Sequence, residues 1–273
     1  MKHRRFAFAF VAALMVCPPL ALPAPLVYEG FEYDAPQALP PLDGGDGWLG
    51  GWDEGNATVA SPGLAYTDGG GIILPVAGNR GQSGTSATFR TIDASVFPSE
   101  VAPGGKLGGA GATIWISFIG QCTQAGANQW SGLALFDGTA ERLFIGNPYA
   151  PTDWGFDLKD GGTATTSVAV DQERFVLIKL AWSADGTTVD TSMWLNPPLD
   201  SEADLALVAA EEKVTATRPS GFQFDRVRLA GNVDHNWDEI RIGTTYAQVV
   251  PEPGCLVLLG LGAAGLLARR RRA

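Results

Sequence analysis

The chain has 273 residues, 45% of them hydrophobic, which is enough for one substantial core, and its formal net charge is −10. That acidity opposes contact with a phosphate backbone and excludes nucleic acid as a partner. Two histidines and three cysteines leave little material for a nitrogen- or sulfur-ligated metal site or a disulfide framework.

At the N-terminus Lys2, His3, Arg4 and Arg5 precede an apolar segment from Phe6 to Val16, followed by Pro18, Pro19 and Pro23. A basic start, a short apolar run and small residues are the pattern of a secretory signal peptide, too short to span a bilayer. Residues 1–24 are assigned to it, with cleavage expected near Ala21 to Ala24, and export through the Sec machinery follows. Cys17 falls in this segment and Cys255 near the other end, so the body holds Cys122 alone and no internal disulfide. The body between Pro25 and Val250 carries 12 basic against 28 acidic residues, a formal charge of about −16. Such a surface also repels anionic polysaccharide unless a cation such as calcium bridges the two.

From residue 25 to 249 the sequence is rich in Gly and β-branched residues, with Gly, Asp, Asn and Pro as punctuation about every ten residues. Thr113 to Gly120 is dense in strand formers and reads as buried on both faces. Leu133 to Phe136 meets a turn at Asp137-Gly138, and Arg142 to Gly146 completes a hairpin. Phe175 to Trp182 breaks at Asp185-Gly186 and resumes through Val189 to Leu195 as a second hairpin. Asp204 to Lys213 reads as a short helix. Phe222 to Leu229 and Trp237 to Gly243 alternate, predicting one face on the core and one in water. Many short strands without βα alternation predict an all-β, antiparallel two-layer sandwich.

The opening Tyr28-Glu29-Gly30-Phe31-Glu32-Tyr33, with Gly47-Trp48-Leu49-Gly50-Gly51-Trp52, resembles the start of concanavalin A-like (laminin G-like) bacterial surface proteins. Phe224 to Leu229 and Trp237 to Gly243 resemble the last two strands of that family. The resemblance implies a jelly-roll β-sandwich used for carbohydrate binding or adhesion, whose final strand pairs near the N-terminal one. It implies no activity by itself.

The residues argue against catalysis. Once the signal is removed His235 is the one histidine, in a Gly- and Asn-rich turn where a solvated position is expected. Any serine or cysteine nucleophile would need it as a base. Jelly-roll glycan hydrolases need paired carboxylates on one strand face, and no Glu-x-Asp-x-Glu or Glu-x-Asp-x-x-Glu occurs. Asp238 and Glu239 are adjacent, so a regular strand points them to opposite faces. No cofactor is expected, but Asp43, Asp46, Asp53, Glu54, Asp153, Asp157, Asp234 and Asp238 leave room for a structural calcium without defining its ligands. Trp48, Trp52, Trp130, Tyr149 and Trp154, in Gly-, Asn- or Pro-rich stretches, are the candidate sugar platform, whereas Trp115, Trp182 and Trp194 fall in strands. The alternatives are a secreted hydrolase or lyase, a purely structural matrix protein, or an ice-binding protein, for which Thr163 to Thr166 is the one Thr-rich segment.

The chain closes with Pro251-Glu252-Pro253, an uncharged run from Leu256 to Ala268, and Arg269, Arg270, Arg271 and Arg272. Prolines interrupt regular structure, the apolar run suits lipid, and the arginines hold a cytoplasmic end. Residues 250–273 resemble the PEP-CTERM sorting signal, which implies a single membrane helix read and removed by an exosortase. The protein is thus expected as a membrane-tethered precursor, then at the cell surface or in the extracellular matrix. Mass spectrometry of protein from its native host is expected to find a mature form lacking Arg269 to Arg272.

Overall fold

The apolar alternation folds into strands that pair antiparallel throughout. A computed structural model describes residues 23–83, 85–123, 126, 128–148 and 152–251. The signal segment to residue 22, Tyr149, and the tail from Glu252 through Pro253 to Arg269–Arg272 lie outside the described residues.

The first strands are β1 (Val27–Glu29), β2 (Gln37–Ala38), β3 (Trp48–Asp53), β4 (Thr58–Ala60), β5 (Arg80–Ser83) and β6 (Thr88–Ile92). The middle of the chain forms β7 (Thr113–Cys122), β8 (Ser131–Asp137), β9 (Ala140–Asn147), β10 (Asp153–Leu158) and β11 (Gly162–Ala169). The remainder gives β12 (Arg174–Trp182), β13 (Val189–Leu195), β14 (Lys213–Arg218), β15 (Arg226–Gly231), β16 (His235–Gly243) and one helical turn, α1 (Tyr246–Val249). One sheet runs β14-β13-β12-β7-β16-β5-β4-β2, with β1 also on β16. The other runs β11-β10-β9-β8-β15-β6-β3. The all-β antiparallel sandwich read from the sequence is what forms.

Both predicted hairpins are present, β8–β9 and β12–β13. Gly138 and Gly186 occupy their turns at φ 59° and 73°, a region that costs other residues steric strain. The expected return of the final strand also holds: Val27, Tyr28 and Glu29 register with Ile242, Arg241 and Ile240. Between the sheets Ile114, Ile116, Phe118, Val176 and Ile178 meet Leu133, Leu135, Leu143, Ile145 and Phe156.

Thr113–Gly120 is buried on both faces, as expected. Trp115 and Ile119 point away from the main core into a second cluster with Leu64, Tyr66, Phe175, Leu199 and Tyr246. Residues 61–77, the segment around Leu199 and Leu205, and α1 therefore roof the outer face of the nine-stranded sheet. This roof overturns the expected alternation in β16, where every residue is buried.

The predicted helix at Asp204–Lys213 is replaced by two 3₁₀ turns, Glu202–Leu207 and Ala210–Glu212, with Lys213 already in β14. A segment this short gains little from intrinsic helix propensity. Burial of Leu205 and Val208 against the sheet decides its path instead.

The two sheets are tied by a buried ion pair between Glu29 of β1 and Arg90 of β6. Glu29 also accepts from the Phe31 N–H at 2.8 Å, the Tyr33 hydroxyl at 2.9 Å and the Trp52 indole at 2.9 Å. Removing one member of such a pair strands the other charge away from water. Arg90→Ala is therefore expected to cost about 3–5 kcal/mol in urea unfolding. Glu29→Gln, which keeps an acceptor, should cost less than Glu29→Leu.

Candidate functional site

On the outer face of the seven-stranded sheet the described residues form a small aromatic cluster beside a cleft. In β8, Leu133 and Leu135 enter the main core, so the period of two sends Ala134 and Phe136 outward. They meet Phe144 of β9, Phe89 of β6 and Trp130 in a separate cluster. Beside it lies a cleft of about 330 Å³ lined by Trp130, Glu141, Phe144, Asp157, Lys159 and Arg228, with Pro148 at its edge. That volume falls within the range of small-ligand sites.

Trp130 is half-buried and its backbone is clamped at both ends. Its N–H donates to the Asn232 side-chain oxygen at 2.7 Å, and its carbonyl accepts from the Asn232 N–H at 2.8 Å. The ring meets Phe144 edge-on, with centroids 5.9 Å apart. The Arg228 guanidinium lies over Phe136 at 4.7 Å and near Trp130 at 5.7 Å. Burial draws this guanidinium below its usual range, with Glu141 opposing the change.

The charges in the cleft form one chain. Arg228 donates to one Glu141 oxygen at 2.5 Å, and Lys159 lies 3.0 Å from the other. Lys159 also reaches Asp157 at 2.5 Å. Partial burial lowers the Lys159 pKa, but hydrogen bonds to Asp157 and Glu141 outweigh that and hold it above its ordinary value. A clamped indole beside fixed donors and acceptors suits a ligand with one apolar face and a rim of hydroxyls.

The five aromatic candidates separate. Trp130 lies in the cleft. Trp52 and Trp154 do not serve as a platform, because β3 and β10 turn their rings into the core, where Trp52 is 1% and Trp154 0% exposed. Trp48 packs against the core with its indole N–H on the Tyr28 carbonyl at 2.9 Å, away from the cleft. Tyr149 lies outside the described residues. Glycine-rich context misled here, because Trp52 and Trp154 are themselves strand residues of inward phase. Phe136, Phe144, Glu141, Lys159 and Arg228 were missed. For Phe136, Phe144 and Arg228 the signal was the outward phase of strands whose inward positions are Leu, Ile and Val. Glu141 shares the parity of Leu143 and Ile145 and reaches outward through a register shift between β8 and β9, and Lys159 lies in the turn after β10.

His235 is not solvated. It opens β16 opposite Cys122, which directs its ring inward to stack on Trp237 at 4.4 Å and meet Trp154 edge-on at 5.8 Å. Burial lowers its pKa to about 3, so the ring is neutral. The Ser131 hydroxyl lies 2.9 Å from its Nδ1 and 3.1 Å from the Cys122 sulfur. The fold thus assembles a serine, a histidine and a cysteine, but all three are fully enclosed between the sheets.

Asp238 and Glu239 also depart from expectation. A bulge against β7 places Glu239 at φ 55°, and the two carboxylates hold one loop instead of facing opposite ways. Asp238 accepts from the Leu64 N–H at 2.8 Å and Glu239 from the Ala77 N–H at 2.5 Å. Among the described residues no three acidic, histidine or cysteine side chains converge as a metal site.

Residues 249–272 match the PEP-CTERM protein-sorting motif, so this is an exported protein carrying the signal for sorting to the cell surface. Exosortase processing is what that motif implies. No curated protein matches the chain in sequence. In structure it is similar to the cellulose-induced protein Cip1, at 13% identity and a TM-score of 0.36, covering 80% of this chain and 97% of Cip1. It is similar to lectin I-B4 from Griffonia simplicifolia at 8% identity and a TM-score of 0.32, over 68% and 87% of the two chains. The catalytic domain of a glycoside hydrolase family 131 protein from Coprinopsis cinerea gives 14% identity and a TM-score of 0.31, over 62% and 75%. No described helix is long and apolar enough to cross a membrane.

Burial pushes the Asp238 carboxyl up to about 8, against the pull of the Leu64 N–H. A raised pKa means that the folded state binds the proton more tightly than the unfolded chain. The contribution of Asp238 is therefore fully present below about pH 4 and is lost as pH rises through about 8. Asp238→Asn is expected to flatten the decline of melting temperature over that window, melting below the parent at the acid end and converging with it or exceeding it above about pH 8, as followed by circular dichroism.

Proposed function

We propose that the protein is an exported, non-catalytic glycan-binding β-sandwich, and that the cleft at Trp130 holds a neutral polysaccharide. Export through Sec, a membrane-tethered precursor and release to the cell surface or matrix complete the reading. The observation that carries it is the composition of the cleft. One clamped, half-exposed indole stands beside two cations and two carboxylates, so the charges cancel locally while the body as a whole is strongly acidic. An uncharged ligand meets no net repulsion there, and its hydroxyls find donors and acceptors already fixed.

The carboxylates support a binding role over a hydrolytic one. A glycosidase needs one carboxyl to deliver a proton to the leaving oxygen. Both oxygens of Glu141 instead face cations, and Asp157 is engaged by Lys159.

Affinity electrophoresis or pull-down on neutral polysaccharides tests the reading. Trp130→Ala is expected to weaken retention about tenfold or more, as for a central aromatic anchor. Trp48→Ala, outside the cleft, should bind like the parent if its fold is retained. Equal retention by Trp130→Ala would remove the cleft from the reading. Release of reducing ends by the parent, abolished in Glu141→Gln, would establish the hydrolase instead.

A further inference from the structure

The sorting motif begins inside the folded body. Val249 and Val250, at the start of the matched segment, are fully buried. The Ser117 hydroxyl donates to the Val249 carbonyl at 2.7 Å, and the Val250 N–H donates to the Tyr246 carbonyl at 2.9 Å. Thr245 and Gln248 close a capping box on α1, and Tyr246 packs edge-on against Trp115 at 5.7 Å. No slack therefore separates the globule from Pro251.

Pro251 itself lines an apolar cleft of about 250 Å³ with Pro25, Tyr28, Pro75, Val76 and Arg241. Arg241 offers no free charge there, because it pairs with Glu239, donates to the Pro75 carbonyl at 2.7 Å and lies 5.6 Å from the Tyr28 ring centroid. Val76 is 41% exposed, and Ile73 in the same loop is 67% exposed. Pro25 brings the N-terminal processing region to the same place.

We infer that this proline-lined cleft is a docking surface for the membrane-embedded transpeptidase that reads the tail. An enzyme acting on Pro251-Glu252-Pro253 has to surround that peptide, and the peptide starts at a residue that is part of the cleft wall. The five-residue step from Pro251 to Leu256 spans at most about 17 Å, so the cleft stays within reach of anything holding the apolar run. An uncharged aliphatic patch is also the part of this acidic body that such an enzyme can approach without burying unpaired charge.

The test uses the full-length precursor in its native host, with tail removal followed by mass spectrometry in pulse-chase. Val76→Asp is expected to slow removal about tenfold, the loss typical of a truncated or charged interface anchor. An exposed position should leave the near-ultraviolet circular dichroism of the purified body unchanged. In the parent, a Gly/Ser spacer of about ten residues between Val250 and Pro251, with a root-mean-square reach of about 17 Å, should likewise slow removal by uncoupling the peptide from the cleft. A photo-crosslinker at position 76 should capture the transpeptidase. Parent-like processing of Val76→Asp or of the spacer variant, or adducts only to lipid or to a second copy of the chain, would each overturn the inference.

Discussion

The ion pair of Glu29 and Arg90 joins the two sheets where no strand pairing can, and the N-terminal third of the body is arranged around it. Glu29 draws donors from β3 and from the segment after β1, while Arg90 spends its remaining donors on the carbonyls of Gly44 and Gly50. A carboxylate so far from water is tolerable only with every partner in place. The segments that supply those partners are thereby held as a unit. With β1 fixed, its pairing to β16 is fixed too, and Pro25 arrives beside Pro251. A charge pair 61 residues apart in sequence thus determines where both ends of the body emerge.

The two outer faces of the sandwich have opposite fates for one reason. The nine-stranded sheet carries Trp115, Ile119, Phe175 and Leu177 outward, too much apolar surface to leave in water, and loops fold over it. Its polar outward groups, Asp238 and Glu239, become the hooks that hold residues 61–77 in place. The seven-stranded sheet carries a smaller aromatic group, Phe89, Trp130, Phe136 and Phe144, with the guanidinium groups of Arg226 and Arg228 over Phe89 and Phe136. That mixture is what leaves a cleft open at Trp130.

Sorting and folding meet at a single residue. The body ends in a capped helical turn packed on β7, and the motif that directs sorting starts within it. The matched segment therefore begins on residues of the core, and Pro251 lies beside Pro75 and Val76.

A family resemblance implied the return of the last strand to the first; the sequence by itself determined the central strands, the hairpins at Gly138 and Gly186, and the sorting motif. Each of these depends on local periodicity, turn chemistry or a contiguous motif, and so is written in neighbouring residues. Tertiary structure alone decided which face of each strand met a second layer. That choice buried Trp52, Trp154 and His235, turned Asp204–Lys213 from helix into 3₁₀ turns, and brought Glu141 and Arg228 from two strands and Lys159 from the turn after β10 into one cleft. Residue type and spacing are silent on it, because burial is set by what the rest of the chain places on top.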